Sequence, residues 1–260
     1  MNRSLHRILS IAKNAFREAV RDRVLYNLVL FMLLIVASAI LLGELTDGQQ
    51  ARTIVNIGLA AMLLFGAFIA IFVGVGLVSK EIEKRTLFAV FAKPVSRPEF
   101  LIGKYVGLCL TLLVNVVVMG AGISLALLFV GGQPLAGSVW GSIFLIYLEL
   151  TIITAVAILF SSFSSPSLSA LLTFLVFIIG HMSGSLLELA KGMSSKSAEA
   201  LFGLLYYVLP NLAHFSFRTE AANGMFPTAA MFGGGAAYAF VYVAILLVIA
   251  ISIFSRRNFK

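Results

Sequence analysis

Six uninterrupted apolar runs, each about long enough to cross a membrane, dominate this 260-residue chain. They cover residues 24–43, 54–78, 105–130, 139–160, 168–187 and 236–254. A run of roughly 20 apolar residues crosses the hydrocarbon core as a helix, with its backbone N–H and C=O groups paired inside the segment. The runs are continuous and do not alternate between apolar and polar residues, which excludes a transmembrane β-barrel. Composition agrees, since 60% of residues are hydrophobic, only 12% are charged, and mean hydropathy is +1.04. A water-soluble domain needs about a quarter of its residues charged. Soluble enzymes, nucleic-acid modules and disordered chains are thereby excluded. The expected fold class is all-α: a polytopic membrane protein of six transmembrane helices preceded by an N-terminal amphipathic interfacial helix. The expected domains are residues 1–23 for the interfacial helix and 24–260 for the membrane domain.

The net charge of +8 belongs to topology rather than to nucleic acid, because no zinc, RRM or helix-turn-helix pattern accompanies it. With the N-terminus inside, fifteen of the 19 Lys and Arg residues fall on the cytoplasmic side. These are Arg3, Arg7, Lys13, Arg17, Arg21, Arg23, Lys80, Lys84, Arg85, Lys93, Arg97, Lys104, Arg256, Arg257 and Lys260. Arg52, Lys191, Lys196 and Arg218 fall opposite. By the positive-inside rule both termini are expected in the cytoplasm of a multi-pass protein of the cell (inner) membrane. Ala37-Ser38-Ala39 fits a signal-peptide cleavage pattern, but the charged region before it is too long and the apolar run continues through Leu42. Between residues 4 and 22, Leu5, Ile8, Leu9, Ala12, Ala15, Phe16, Ala19 and Val20 recur at three and four, opposite Arg7, Asn14, Arg17 and Arg21. Such a stripe suits a helix in the headgroup plane, or a cytosolic helix packed on a partner.

Residues 80–104, between the second and third runs, hold more charge than any other interhelical segment. A helix is expected from Lys80 until Pro94, which disfavours helical backbone at Lys93. Leu87, Phe88 and Phe91 form an apolar knob on one of its faces, with Glu81, Glu83, Lys84 and Arg85 keeping its first turns polar. Ser96 then caps a second helix, with Pro98 in its first turn and Glu99 able to return a hydrogen bond to the cap. On physical grounds two readings stand side by side. The knob lies against the bilayer or the protein's own helix ends, or it docks in a groove of a soluble partner.

The run Lys80-Glu81-Ile82-Glu83-Lys84-Arg85-Thr86, followed by Lys93-Pro94-Val95-Ser96-Arg97, Glu99-Phe100-Leu101 and Gly103-Lys104-Tyr105, resembles the corresponding loop of type-2 ABC transporter permeases. It is most similar to the branch that includes the permease of the nitrous-oxide-reductase maturation system. The resemblance implies that a coupling helix in this loop docks on a separate ATPase subunit. Glu81, Glu83, Arg85, Leu87, Phe88, Phe91, Pro94 and Arg97 would then form the coupling interface. It also implies an exporter in which a second permease copy, identical or similar, completes twelve spans among membrane lipids. ATP and Mg would be bound by the partner ATPase and no cofactor by this chain, which would not itself be an enzyme. This fits the lack of a GxxxxGK[ST] phosphate loop. Residues 199–220, with Leu209-Pro210-Asn211, are similar to the family's re-entrant helices before the last span. The Ser161–Ser167 turn would make a second, smaller ATPase contact.

Polar residues inside the runs are the remaining candidates. Glu149 sits mid-run, where a charged acid costs about 3 kcal/mol on the insertion scale. It reads as a contact in the substrate path, or as a protonated acid bonded to a hydroxyl such as that of Thr151 or Thr154. His181, with Ser183 and Ser185, has the wrong spacing for a serine nucleophile and reads as a histidine satisfied by a helix neighbour or as a second pathway residue. Gly233-Gly234-Gly235 reads as a hinge or a flexible lead-in. Cys109 is the one cysteine, so no intramolecular disulfide or cysteine-based metal site is expected. A secondary transporter or channel is the rival function. It would show inverted repeats and several intramembrane acids, and only Glu149 is of that kind.

Overall fold

The computed structural model describes residues 2–19, 30–35, 37–38, 49–83, 95–184, 188 and 196–256. These residues form helices and connecting turns, with no strand among them. In order they are α1 (Asn2–Ala19), α2 (Gln50–Phe68), a π turn (Ile69–Val73), α3 (Gly74–Glu83), α4 (Arg97–Val130), α5 (Ala136–Ser161), α6 (Pro166–His181), α7 (Lys196–Val208), α8 (Arg218–Ala222) and α9 (Ala229–Arg256).

Four continuous helical stretches are long and apolar enough to cross a membrane: Gln50–Ser79, Arg97–Val130, Gln133–Ser161 and Ala229–Arg256. A fifth crossing is available if Glu199–Val208 and Leu212–Ala222, bent by 46° at Leu209-Pro210-Asn211, count as one. Helix α6 is apolar but has only 16 residues. It ends at His181, short of the boundary expected at 187. The first apolar run, 24–43, lies mostly outside the described residues, although 30–35 are helical.

Helix α5 is apolar all round, and for that reason it is the hub, in contact with α2, α3, α4, α6, α8 and α9. Its Leu150, Ile152, Ile153 and Ala155 are fully buried. Glycines let the α2–α3 stretch lie close to it. A Cβ at Gly66 would meet Leu150 Cδ1 at 2.5 Å, and one at Gly74 would meet Ala157 Cβ at 3.1 Å. In a regular helix of about 3.6 residues per turn, eight residues leave these glycines about 80° apart. The wider π turn at Ile69–Val73, between them, takes up much of that remainder and returns Gly74 to the same face.

The ends of α4 follow from capping chemistry. Ser96 Oγ accepts from the Glu99 amide, Glu99 Oε2 accepts from the Ser96 amide at 2.9 Å, and Pro98 occupies the first turn. At the other end Gly131 has φ +75°, a left-handed conformation that glycine adopts without a Cβ penalty. The chain then reverses through a short 3-10 turn, Gln133–Leu135. The second helix expected from Ser96 and the third apolar run, 105–130, are one element, since α4 runs unbroken for 34 residues. At about 1.5 Å per residue it spans about 50 Å, longer than a hydrocarbon layer of about 30 Å is thick. One expectation is corrected here: Gly233, Gly234 and Gly235 are not a hinge, because α9 is already helical from Ala229 and passes through them.

Candidate functional site

Two polar assemblies stand at opposite ends of the bundle. The first is where the charged loop leaves and rejoins the helices. Val78 of α3, Phe100 and Leu101 of α4, Ile158 of α5, and Ala250 and Phe254 of α9 form a buried cluster separate from the main core. Phe100 and Phe254 stack with centroids 6.0 Å apart and planes 13° from parallel. Arg97 donates from Nη1 to the carbonyls of Phe254 and Ser255, at 3.0 and 2.7 Å. It thereby occupies the orphan acceptors of the last turn of α9. The loop thus starts just after α3 and ends just before α4, and both helices share this cluster.

Helix α1 packs on the same end. Gly103 and Gly107 open a groove on α4 into which α1 sinks: a Cβ at Gly103 would meet Ile11 Cβ at 2.7 Å, and one at Gly107 would meet the Ala12 carbonyl oxygen at 2.5 Å. Ala12, Ala15 and Ala19 of α1 are buried there, while Leu5 and Leu9 stay exposed on the neighbouring face. Charges fix the register. The Ser4 hydroxyl donates to Glu99, and Arg7 Nη1 lies 3.7 Å from the same carboxylate. Lys104, only 3% exposed, donates to Glu18 Oε2 at 3.2 Å and lies over the Phe100 ring. The amphipathic stripe expected to meet lipid or a partner is therefore divided: its small residues meet α4 and its leucines remain open.

Of the expected coupling residues, Arg85, Leu87, Phe88, Phe91 and Pro94 lie outside the described residues. Glu81 and Glu83 stand in the last turns of α3. Arg97 is the one whose side chain is placed, and it is turned onto α9.

The second assembly is at the far end. The backbone between α7 and α8 is irregular, and at membrane depth its polar groups need partners from the surrounding helices. Hydroxyls supply several. Ser138 Oγ donates to the Ala221 carbonyl at 2.9 Å, Ser142 Oγ to Phe217 at 3.0 Å, and Tyr242 Oη to Val208 at 2.7 Å. The Asn211 amide donates to Tyr238 Oη at 2.9 Å, and Ser183 Oγ donates to the Asn211 side-chain oxygen. Gly180 of α6 admits the Pro210 carbonyl and Leu212, which a Cβ would meet at 2.7 Å. Beside this segment a cleft of about 350 Å³ is lined by His214, Phe215, Met231, Gly235 and Tyr238.

Glu149 and His181 meet behind that segment. Glu149 is 1% exposed, and its Oε1 lies 3.2 Å from His181 Nε2. The hydroxyls expected to satisfy Glu149 do not. Thr151 donates to Leu148 and Thr154 to Leu150, each to a carbonyl of its own helix, because a helical Thr reaches the preceding turn more readily than a neighbouring carboxyl. His181 is satisfied by a helix neighbour as expected, its Nδ1 being 3.0 Å from the Phe177 carbonyl oxygen. Among the described residues no group of three or more His, Cys, Asp or Glu side chains could hold a metal.

The sequence reading missed the seat of α1. Its signal was present as Gly103-Lys104-Tyr105-Val106-Gly107, the small-xxx-small spacing that lets helices approach closely. A family model described as "ABC-2 family transporter protein" matches residues 9–259. Among curated proteins none matches the chain.

Proposed function

The chain belongs to the ABC-2 transporter family, whose members are membrane components of ABC transporters, and from that premise we propose that it is the six-span permease subunit of an ATP-driven exporter. In this reading the first apolar run, 24–43, and α6 supply the spans beyond those established above. Both termini and residues 80–104 face the cytoplasm of the inner membrane, as the charge distribution favours. The outer segment 199–220 is re-entrant. Residues Glu81, Glu83, Arg85, Leu87, Phe88, Phe91 and Pro94 carry the contact with a separate ABC ATPase, which binds ATP and Mg. A second copy, or a similar chain, completes the pathway. Glu149 and His181 contribute to the wall of the substrate path. The placement near the nitrous-oxide-reductase maturation permease rests on the loop residues.

One observation carries the coupling role: the helices that flank the loop share a buried cluster with the ends of α5 and α9. A push on the loop is therefore delivered to four helix ends together rather than absorbed in slack chain. The test replaces Phe88 and Phe91 with Ala. Aromatic anchors in a groove cost about 2 kcal/mol or more when truncated. Recovery of the ATPase with the permease should fall roughly tenfold or more at matched membrane expression, and substrate-stimulated hydrolysis should be lost. Equal recovery and equal turnover would sink the coupling role.

A further inference from the structure

His181 cannot meet Glu149 without a proton between them. Its Nδ1 lies 3.0 Å from the Phe177 carbonyl oxygen, and a carbonyl only accepts, so Nδ1 carries hydrogen. The ring also packs edge-on against Phe177 with centroids 4.7 Å apart, which fixes its orientation. Nε2, the remaining nitrogen, is the atom 3.2 Å from Glu149 Oε1. A bare Nε2 against a carboxylate would set a lone pair against an anion in a site where Glu149 is 1% exposed. The approach is favourable in two forms: a carboxylic acid donating to bare Nε2, or an imidazolium donating to a carboxylate. Both hold the same number of protons, and in both the pair has zero net charge.

We infer that Glu149 and His181 form a buried one-proton site, with the proton as its ligand, joining α5 to the last turn of α6. The surrounding groups favour this count. Among the described residues, Arg218 of α8 is the charged side chain whose field reaches both residues. A second proton would make the pair cationic beside that guanidinium, and loss of the proton would leave a carboxylate whose burial outweighs the attraction of Arg218. Hydroxyls of the same stretches of chain are engaged elsewhere, Ser142 with Phe217, Ser183 with Asn211, and Tyr147 with the Cys109 carbonyl of α4. From α9, Tyr238 is engaged with Asn211. Glu149 Oε1 has no hydrogen-bond partner among the described residues apart from this approach to His181. The site lies directly behind Gly180, where the Pro210 carbonyl and Leu212 seat the outer segment. The proton therefore holds the surface on which that segment rests.

The inference does not rest on the transport reading, and its test uses the permease without an ATPase. The chain has three histidines, so ¹⁵N-histidine labelling with His6→Gln and His214→Gln variants assigns the His181 resonances. Expected is a His181 whose Nδ1 stays protonated and which shows no titration step between about pH 5 and 8, where an ordinary histidine changes charge. Glu149→Leu, which removes the shared proton and leaves no donor in its place, should move the Nε2 resonance to that of a bare nitrogen with no hydrogen-bond donor. A His181 that changes charge between about pH 5 and 8, or carries its hydrogen on Nε2 with Nδ1 bare, overturns the site in the wild-type chain alone. An Nε2 resonance unmoved by Glu149→Leu overturns it as well.

Discussion

Arg97 is tied to Ser255, its guanidinium donating to that carbonyl at 2.7 Å and to that of Phe254 at 3.0 Å. The residue closing the charged loop is thus fastened to the end of the last helix. Hydrogen bonds to charged groups contribute about 1.5–3 kcal/mol, less where solvent competes. Because this contact is partly exposed, Arg97→Ala is expected to cost about 1–2 kcal/mol. The cost reads as a lower Tm of the detergent-solubilised permease, with Arg97→Lys intermediate. An unchanged Tm for the Ala variant would show that the tie carries no weight.

Gly107 tests the seat of α1. Even a methyl group there would lie 2.5 Å from the Ala12 carbonyl oxygen, which cannot move without shifting the α1 backbone. Gly107→Ala should destabilise by about 1–3 kcal/mol, as overpacking does. Gly107→Leu should release α1, made visible by protease cleavage within residues 2–19. Gly233→Ala is the control, since nothing lies within 4 Å of its Cβ position and the helix gains up to about 1 kcal/mol in propensity. Equal resistance to protease in the Leu variant and the wild type would refute the groove.

Lys104 and Glu18 form a pair in which burial is one-sided, Lys104 being 4% exposed by side chain and Glu18 35%. Removing the acid takes from the buried ammonium its carboxylate 3.2 Å away, so Glu18→Gln should cost more than exposed pairs usually do, about 1–2 kcal/mol. Lys104→Met combined with Glu18→Gln should recover most of that loss. The check is a double-mutant cycle read by chemical denaturation; additive single effects would mean the two residues do not act as a pair.

Topology is checked with single cysteines in a Cys109→Ser background. A cysteine at the exposed Gln133 turn should react with an impermeant maleimide in intact cells. Cysteines at exposed Ser96 and Ser165 should react only after permeabilisation. The reverse pattern would overturn the assignment of the loop to the cytoplasm.

What could be read in the sequence was what depends on neighbours along the chain. Ser96, Pro98 and Glu99 write the start of α4 in consecutive residues, and Gly131 writes its end, so both were legible as local capping chemistry. Glu149 was legible as an acid that must face inward, yet its partner was not, because His181 comes from the next helix and its distance is set by packing between helices. The π turn left no trace, since Ile69-Ala70-Ile71-Phe72-Val73 is as apolar as the residues around it. The glycines of α9 misled for a related reason. Glycine permits a hinge but does not require one, and the apolar environment of a span keeps the backbone bonded to itself.

The ribosome delivers α1 well before the groove that receives it. Gly107 follows Ala12 by 95 residues, and at about 5–20 residues per second the helix waits roughly 5 to 20 seconds for its seat. During that interval the groove on α4 does not yet exist. An α1 of the interfacial kind that the stripe leads one to expect would lie on lipid first and dock on α4 second. Ala12, Ala15 and Ala19 are small enough for the groove, and Leu5 and Leu9 are the residues still exposed in the finished fold.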